Sequence, residues 1–123
     1  MLMAVIDAKV IANLKALGKD KNFLTDLINL FVKESPTLVD AMQKHHKAGD
    51  AAAMASAAHK YKSSSRQLGA TKLSEMCLSV EQAGKAGKQN DKIVAETIAK
   101  IKDESATAIK ELKVILENHL KGK

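Results

Sequence analysis

Apolar side chains recur along this chain in alternating steps of three and four. That spacing keeps them on one side of an α-helix. One such seam runs Leu24, Ile28, Phe31, Ser35, Leu38, Met42, and a second runs Ala51, Met54, Ala58, Tyr61, Ser65, Leu68. A shorter one reads Leu73, Met76, Cys77, Val80, Ala83, and the last reads Val94, Ile98, Ile101, Ser105, Ala108, Leu112, Ile115. Glycines punctuate these stretches at Gly18, Gly49, Gly69, the Gly84/Gly87 pair and Gly122. Capping residues follow the first four breaks: Asp20 or Asn22, Asp50, Thr71, and Asn90 or Asp91, with Asp7 before an earlier start. Gly after a helix and Asp, Asn or Thr before the next is the expected polarity of helix ends. The pattern predicts five helices, over roughly 8–17, 22–48, 51–68, 72–86 and 91–120. No segment combines period-two alternation with β-branched enrichment, so no strand is predicted.

Short loops between long helices make neighbours antiparallel. The expected fold is therefore all-α: an up-down four-helix bundle of the second to fifth helices. The short first helix would cap one end with Val10, Ile11 and Leu14. Pro36 falls inside the second helix and removes a backbone hydrogen bond. The seam stays in phase through it, which predicts a kink rather than a break. Residues 1–123 read as one domain, with Lys121–Lys123 frayed.

Composition narrows the classes of function. Apolar residues make up 46% of 123, too many for a disordered chain. No apolar run approaches the roughly 18–20 residues of a membrane span, and no signal-peptide pattern opens the chain. One cysteine rules out an internal disulfide, so a reduced, cytoplasmic setting is expected. Cys77 lies on an apolar seam and reads as a small buried hydrophobe. Aromatics at 2% offer no stacking platform for single-stranded nucleic acid. The net charge of +6 favours an acidic partner.

The third helix holds the informative chemistry. At about 100° per residue, His59 lies about 140° from the seam centre and faces outward. Lys62, Ser63 and Arg66 follow it at i+3, i+4 and i+7 on that side. Ala52, Ala55 and Ser56, one turn earlier, are small and form a flat surface beside it. From Ala51 to Ser74 no acidic residue occurs, whereas Lys60, Lys62, Arg66 and Lys72 are basic. A neutral imidazole is a good nucleophile near pH 7. A phosphoryl group on it would need donors, and Lys62 can supply a charge one turn away. Geometry alone favours an ordinary surface histidine on a basic helix, since a lone exposed His is common. The remaining histidines do not suggest a metal site. His45 and His46 are adjacent, so they point about 100° apart, and no Glu-x-x-His motif occurs. His119, like them, lies near a helix C-terminus, where His complements the helix dipole.

The order of residues adds a resemblance. Ala58-His59-Lys60-Tyr61-Lys62-Ser63-Ser64-Ser65-Arg66-Gln67-Leu68-Gly69-Ala70, then Leu73, Met76-Cys77 and Val80-Glu81, closely resembles the histidine-containing phosphotransfer (HPt) domain. Upstream, Phe23-Leu24 and Leu30-Phe31-Val32-Lys33-Glu34-Ser35-Pro36 looks like that family's second helix, proline included. The resemblance implies a four-helix bundle with the phosphorylated histidine exposed, His59 as acceptor and Lys62 as the cation on the phosphoryl group. It departs from the family at Ser63, where many members have Gly, and at Tyr61, where an aliphatic residue is usual. Glu81, where the family has Glu or Gln, is expected to accept the Nδ1–H of His59. Both lie about 15 Å from the Gly69-Ala70 turn on antiparallel helices. The competing assignment for Glu81 is a solvated pair with Lys85 at i+4.

The function expected is that of a phosphocarrier rather than an enzyme. It would accept a phosphoryl group on His59 from the aspartyl phosphate of a receiver domain and pass it to another. Its partners would be receiver domains of response regulators or a hybrid sensor histidine kinase, with Mg²⁺ on the receiver and no cofactor here. Ala52, Ala55, Ser56, Ser63, Arg66 and an outward Leu78 would form the docking face. The chain is expected to be a monomer and to bind neither nucleic acid nor membrane. A non-phosphorylated helical adaptor docked on a receiver or kinase is the alternative. A basic bundle on nucleic acid is a third reading, without a recognition-helix motif to support it.

Overall fold

The computed structural model describes residues 5–17 and 22–121. Five helices account for nearly all of them: α1 (Ala8–Leu17), α2 (Asn22–Lys47), α3 (Ala51–Gln67), α4 (Thr71–Lys85) and α5 (Lys92–Lys121). Among the described residues there is no strand. α3 packs on α2 and α4, and α5 closes the ring by packing on the same two helices. The α3–α4 contact is the most extensive. The seams read from the sequence face inward: Leu24, Ile28, Phe31, Met54, Tyr61, Leu73, Ile98, Ile101 and Leu112 are buried. Fully burying such side chains contributes about 1.5–3 kcal/mol each.

Of the polar seam members, Ser35, Tyr61 and Ser105 are held by side-chain hydrogen bonds, whereas the buried Ser65 hydroxyl has no partner among the described residues. Ser35 Oγ donates to the Phe31 carbonyl at 2.6 Å. The Tyr61 hydroxyl pairs with Ser105 Oγ at 2.5 Å across the α3–α5 diagonal, and its ring stacks on Phe31 with centroids 5.5 Å apart. Tyr61 thus fills an aliphatic position of the pattern without leaving its hydroxyl unpaired. α2 runs unbroken through Pro36.

Helix ends follow the capping pattern in part. The Asp50 carboxylate accepts from Ala53 N at 3.1 Å, and Asp7 accepts from Lys9 N at 2.9 Å. Thr71 is not a cap. The N-cap of α4 is Ala70, without a side-chain bond, and Thr71 is the first helical residue. The turn there is too tight for a separate capping residue, because Ala70 N already bonds Ser65 O at 2.9 Å. Asp91 closes the first turn of α5 through its carbonyl, which accepts from Val94 N. Asp20, Gly18 and Gly122 lie outside the described residues, as does most of the C-terminal stretch expected to fray, of which Lys121 is helical.

α1 seals the end of the bundle where α3 turns into α4. Asp7 N donates to Gly69 O at 2.9 Å. Gly69 sits at φ +83°, and a Cβ on it would lie 3.0 Å from Val10 Cβ, so only glycine fits this turn under α1. Ile11 and Leu14 are buried and Val10 is half-buried. Glu111 of α5 holds the chain just before α1, accepting from Val5 N and Ile6 N at 2.9 Å each. The α3–α4 turn is thereby anchored at the opposite end of α4 from the Gly84–Gly87 region.

Candidate functional site

Two antiparallel helices joined by a tight turn bring residues of equal distance from that turn face to face. On α3 these include His59, and on α4 Glu81. The His59 Nδ1 lies 2.9 Å from Glu81 Oε2. Lys62, one turn beyond His59, donates from Nζ to Glu81 Oε1 at 2.8 Å. Lys85, one turn beyond Glu81 on α4, reaches Oε2 at 3.0 Å. One carboxylate therefore gathers three nitrogen groups, two from α3 and one from its own helix. The pairing with Lys85 and the bond to His59, alternatives on sequence, coexist.

Burial separates these groups. The Glu81 side chain is 4% exposed, Lys62 15%, His59 60% and Lys85 69%. Lys62 opposes the effect of burial on Glu81, with help from Lys85 and His59, and holds its carboxyl at about 2 instead of 4.5. Glu81 is thus a carboxylate at neutral pH, able only to accept hydrogen bonds. Its partner Nδ1 must carry the proton, which leaves Nε2 of a neutral His59 with a free lone pair. Ser74 Oγ of α4 donates to the Lys62 carbonyl at 3.1 Å and ties the same two helices one turn away. Cys77, buried between these contacts, has its thiol pushed up to about 12 by burial and then by the Glu81 charge. It stays a neutral, inert core group.

An open groove of about 620 Å³ lies beside the imidazole, lined by Ala51, Ala52, Ala55, Ser56, His59, Glu81, Gly84 and Lys85. The small residues preceding His59 therefore do border the site, but not all as surface. Ala52 and Ser56 are exposed, whereas Ala55 is 6% exposed. Ala55 packs against α4, where Gly84 leaves room for it, and forms the groove floor. Ser63 and Arg66 are on the far side of His59 and do not line the groove. Leu78 is half-buried rather than projecting. It lies on the α4 stripe between Ser74 and Glu81, both bonded to α3, so α3 partly covers it.

Lys62 has a partner that the helix spacing does not indicate. It is not a free cation beside the imidazole, because its ammonium is bonded to Glu81 and largely covered. Lys85 and Gly84 were legible only as an i+4 partner and a helix break. Gly84 had a signal: Gly87 alone, at φ +74°, suffices to end α4, so a second glycine three residues earlier needs another reason. Elsewhere, His45 and His46 sit half-buried in the last turn of α2. Among the described residues, no three His, Cys, Asp or Glu side chains gather where they could hold a metal ion. No helix among them is long and apolar enough to cross a membrane.

Comparison with known proteins gives the family and the fold. The Hpt domain family matches residues 26–118, most of the chain, from the first turns of α2 to the end of α5. The chain belongs to the Hpt domain family, and its function is histidine phosphotransfer in a phosphorelay. The fold is also that of a solved structure, histidine-containing phosphotransfer protein B (HptB) from Pseudomonas aeruginosa PAO1. The two superpose with a TM-score of 0.84 at 24% identity, covering 95% of this chain and 98% of that one. No curated protein sequence matches the chain.

Proposed function

We propose that His59 is the residue that carries the phosphoryl group, and that it exchanges the group with receiver domains carrying an aspartyl phosphate. The reading rests on one observation: an imidazole 60% exposed, with Nδ1 bonded at 2.9 Å to a carboxylate 4% exposed. In the forward step the Nε2 lone pair attacks phosphorus. The N–P bond forms as the P–O bond to the aspartyl carboxylate breaks, and that carboxylate leaves with the electron pair. The ring becomes cationic, and the Nδ1–H bond to Glu81 strengthens as it does so. The reverse step returns the group to a receiver aspartate.

This chain supplies the nucleophile, its orientation and a surface on which to dock. Most charge stabilisation of phosphoryl transfer then falls to the receiver and its Mg²⁺, since such reactions depend mainly on positioning and electrostatics. Lys62 fixes Glu81 and reaches the phosphoryl oxygens only as the carboxylate shares it. Lys85, 69% exposed at the groove edge, is the more available cation. Ala52 and Ser56 flank the approach with little bulk. The test is to mix the chain with a ³²P-phosphorylated receiver and look for acid-labile, alkali-stable label. Wild type should acquire it and His59→Gln should not, with circular dichroism unchanged. Undiminished label on His59→Gln would refute the assignment.

A further inference from the structure

Gly84 lies three residues after Glu81 on α4, and its neighbours across the helix contact are Ala51 and Ala55 of α3. A Cβ at position 84 would lie 2.8 Å from the Ala51 carbonyl oxygen and 2.9 Å from Ala55 Cβ. Both are far inside the roughly 3.5–4.0 Å at which carbon contacts become attractive. Neither obstacle is a flexible side-chain tip: one is backbone and the other a Cβ. Gly84 is helical, with no positive φ, so backbone conformation does not require glycine there. Gly87, at φ +74° and with open space within 4 Å of where its Cβ would project, already provides the helix end. What position 84 requires is the absence of a side chain.

We infer that Gly84 is a positioning residue for His59: its missing side chain sets the α3–α4 spacing at which Glu81 can hold the imidazole. The inference rests on His59 being the acceptor. The contact at Ala55 is one turn from His59 on α3, and Gly84 is one turn from Glu81 on α4, so the spacing passes directly to the pair. Any side chain at 84 would have to part the helices by roughly 0.5–1 Å to reach ordinary contact. The 2.9 Å bond from His59 to Glu81 would then exceed the roughly 3.2 Å limit of a good N–H···O bond. The 2.8 Å bond from Lys62 spans the same gap and would loosen with it. Lys85 lies on the same helix as Glu81, at i+4, and would keep its contact. Parted helices thus transfer Glu81 from His59 and Lys62 to Lys85, and the imidazole is left free to choose its tautomer. The other end of the contact cannot share the movement, because α1 clamps the α3–α4 turn through Asp7 and Gly69.

The test is Gly84→Ala, read by ¹⁵N NMR of the His59 ring and by the rate of transfer from a phosphorylated receiver. An incidental helical glycine predicts a gain in helix stability on this change and an unchanged ring. A spacing role predicts a mixture of Nδ1–H and Nε2–H tautomers where wild type has Nδ1–H. It also predicts transfer slower by about tenfold to a hundredfold, the scale of a misplacement near 1 Å. Gly84→Ala combined with Ala55→Gly removes the Cβ–Cβ clash and should recover part of both readouts. Recovery in the double variant, even where the single one folds poorly, supports the inference. Wild-type tautomer and rate in Gly84→Ala would overturn it, as would failure of both variants to fold, which would make the residue one of stability alone. The tautomer readout does not depend on phosphoryl uptake. Label persisting on His59→Gln would therefore refute the acceptor while leaving the spacing claim measurable.

Discussion

The Lys62 ammonium lies 2.8 Å from Glu81 Oε1, with 15% of the lysine side chain and 4% of the glutamate exposed. The cation one turn from the proposed acceptor histidine is thus tied to the same carboxylate that bonds the His59 Nδ1. Removing it leaves a nearly buried carboxylate short of its nearest partner, and such losses cost about 1–3 kcal/mol. Lys62→Ala should therefore lower the midpoint of urea unfolding as well as slow transfer. A surface cation acting only on the phosphoryl group would slow transfer and leave the midpoint unchanged.

The Glu81 carboxylate links stability to pH. Its folded value of about 2 lies below the ordinary 4.5, so the folded state binds that proton more weakly than the unfolded state does. The stabilisation is fully present above about 4.5 and is lost as pH falls through about 2. The gap corresponds to at most about 3 kcal/mol. Glu81→Gln removes this titration but keeps a hydrogen-bond acceptor. The difference in unfolding free energy between wild type and Glu81→Gln should fall by that amount between pH 4.5 and 2. A difference that stays constant over this range would contradict the linkage.

The groove separates two alanines that look equivalent in sequence. Ala52 is exposed at its edge, whereas Ala55 is 6% exposed in the helix contact. Ala52→Arg should weaken receiver binding with stability within about 0.5 kcal/mol of wild type. Ala55→Arg should weaken binding and also destabilise the bundle, by about 1–3 kcal/mol for an overpacked contact. Calorimetric titration with a receiver, alongside thermal unfolding of both variants, separates the two effects. Equal stability of the two variants would place Ala55 on the surface.

Much of the fold is legible in the sequence because the seams are long and in phase. Leu24 to Met42 and Val94 to Leu112 each define one buried face with few competing positions. α4 is less completely legible. Its seam of Leu73, Cys77 and Val80 is buried, but so are Ser74, Glu81 and Gly84. A helix packed on two neighbours buries a second stripe, and here that stripe is polar or small, so hydrophobic spacing does not mark it. The same blindness explains Leu78, which lies off the apolar seam and so reads as projecting. The facing of His59 and Glu81 follows from counting residues on either side of the Gly69-Ala70 turn. The bond from Lys62 to Glu81 does not, because periodicity gives the side of a helix and not the reach of a lysine. Thr71 has the residue type of a cap without the role, because the tightness of the turn at Ala70 depends on the Ser65 carbonyl, a backbone contact that leaves no residue signature.

The most direct measurement of the central claim is ¹⁵N and ³¹P NMR of the chain after phosphorylation by a receiver. The account predicts one phosphorylated ring, His59, with the N–P coupling at Nε2 and the proton retained on Nδ1 facing Glu81. Coupling at Nδ1, or on the ring of His45, His46 or His119, would contradict it.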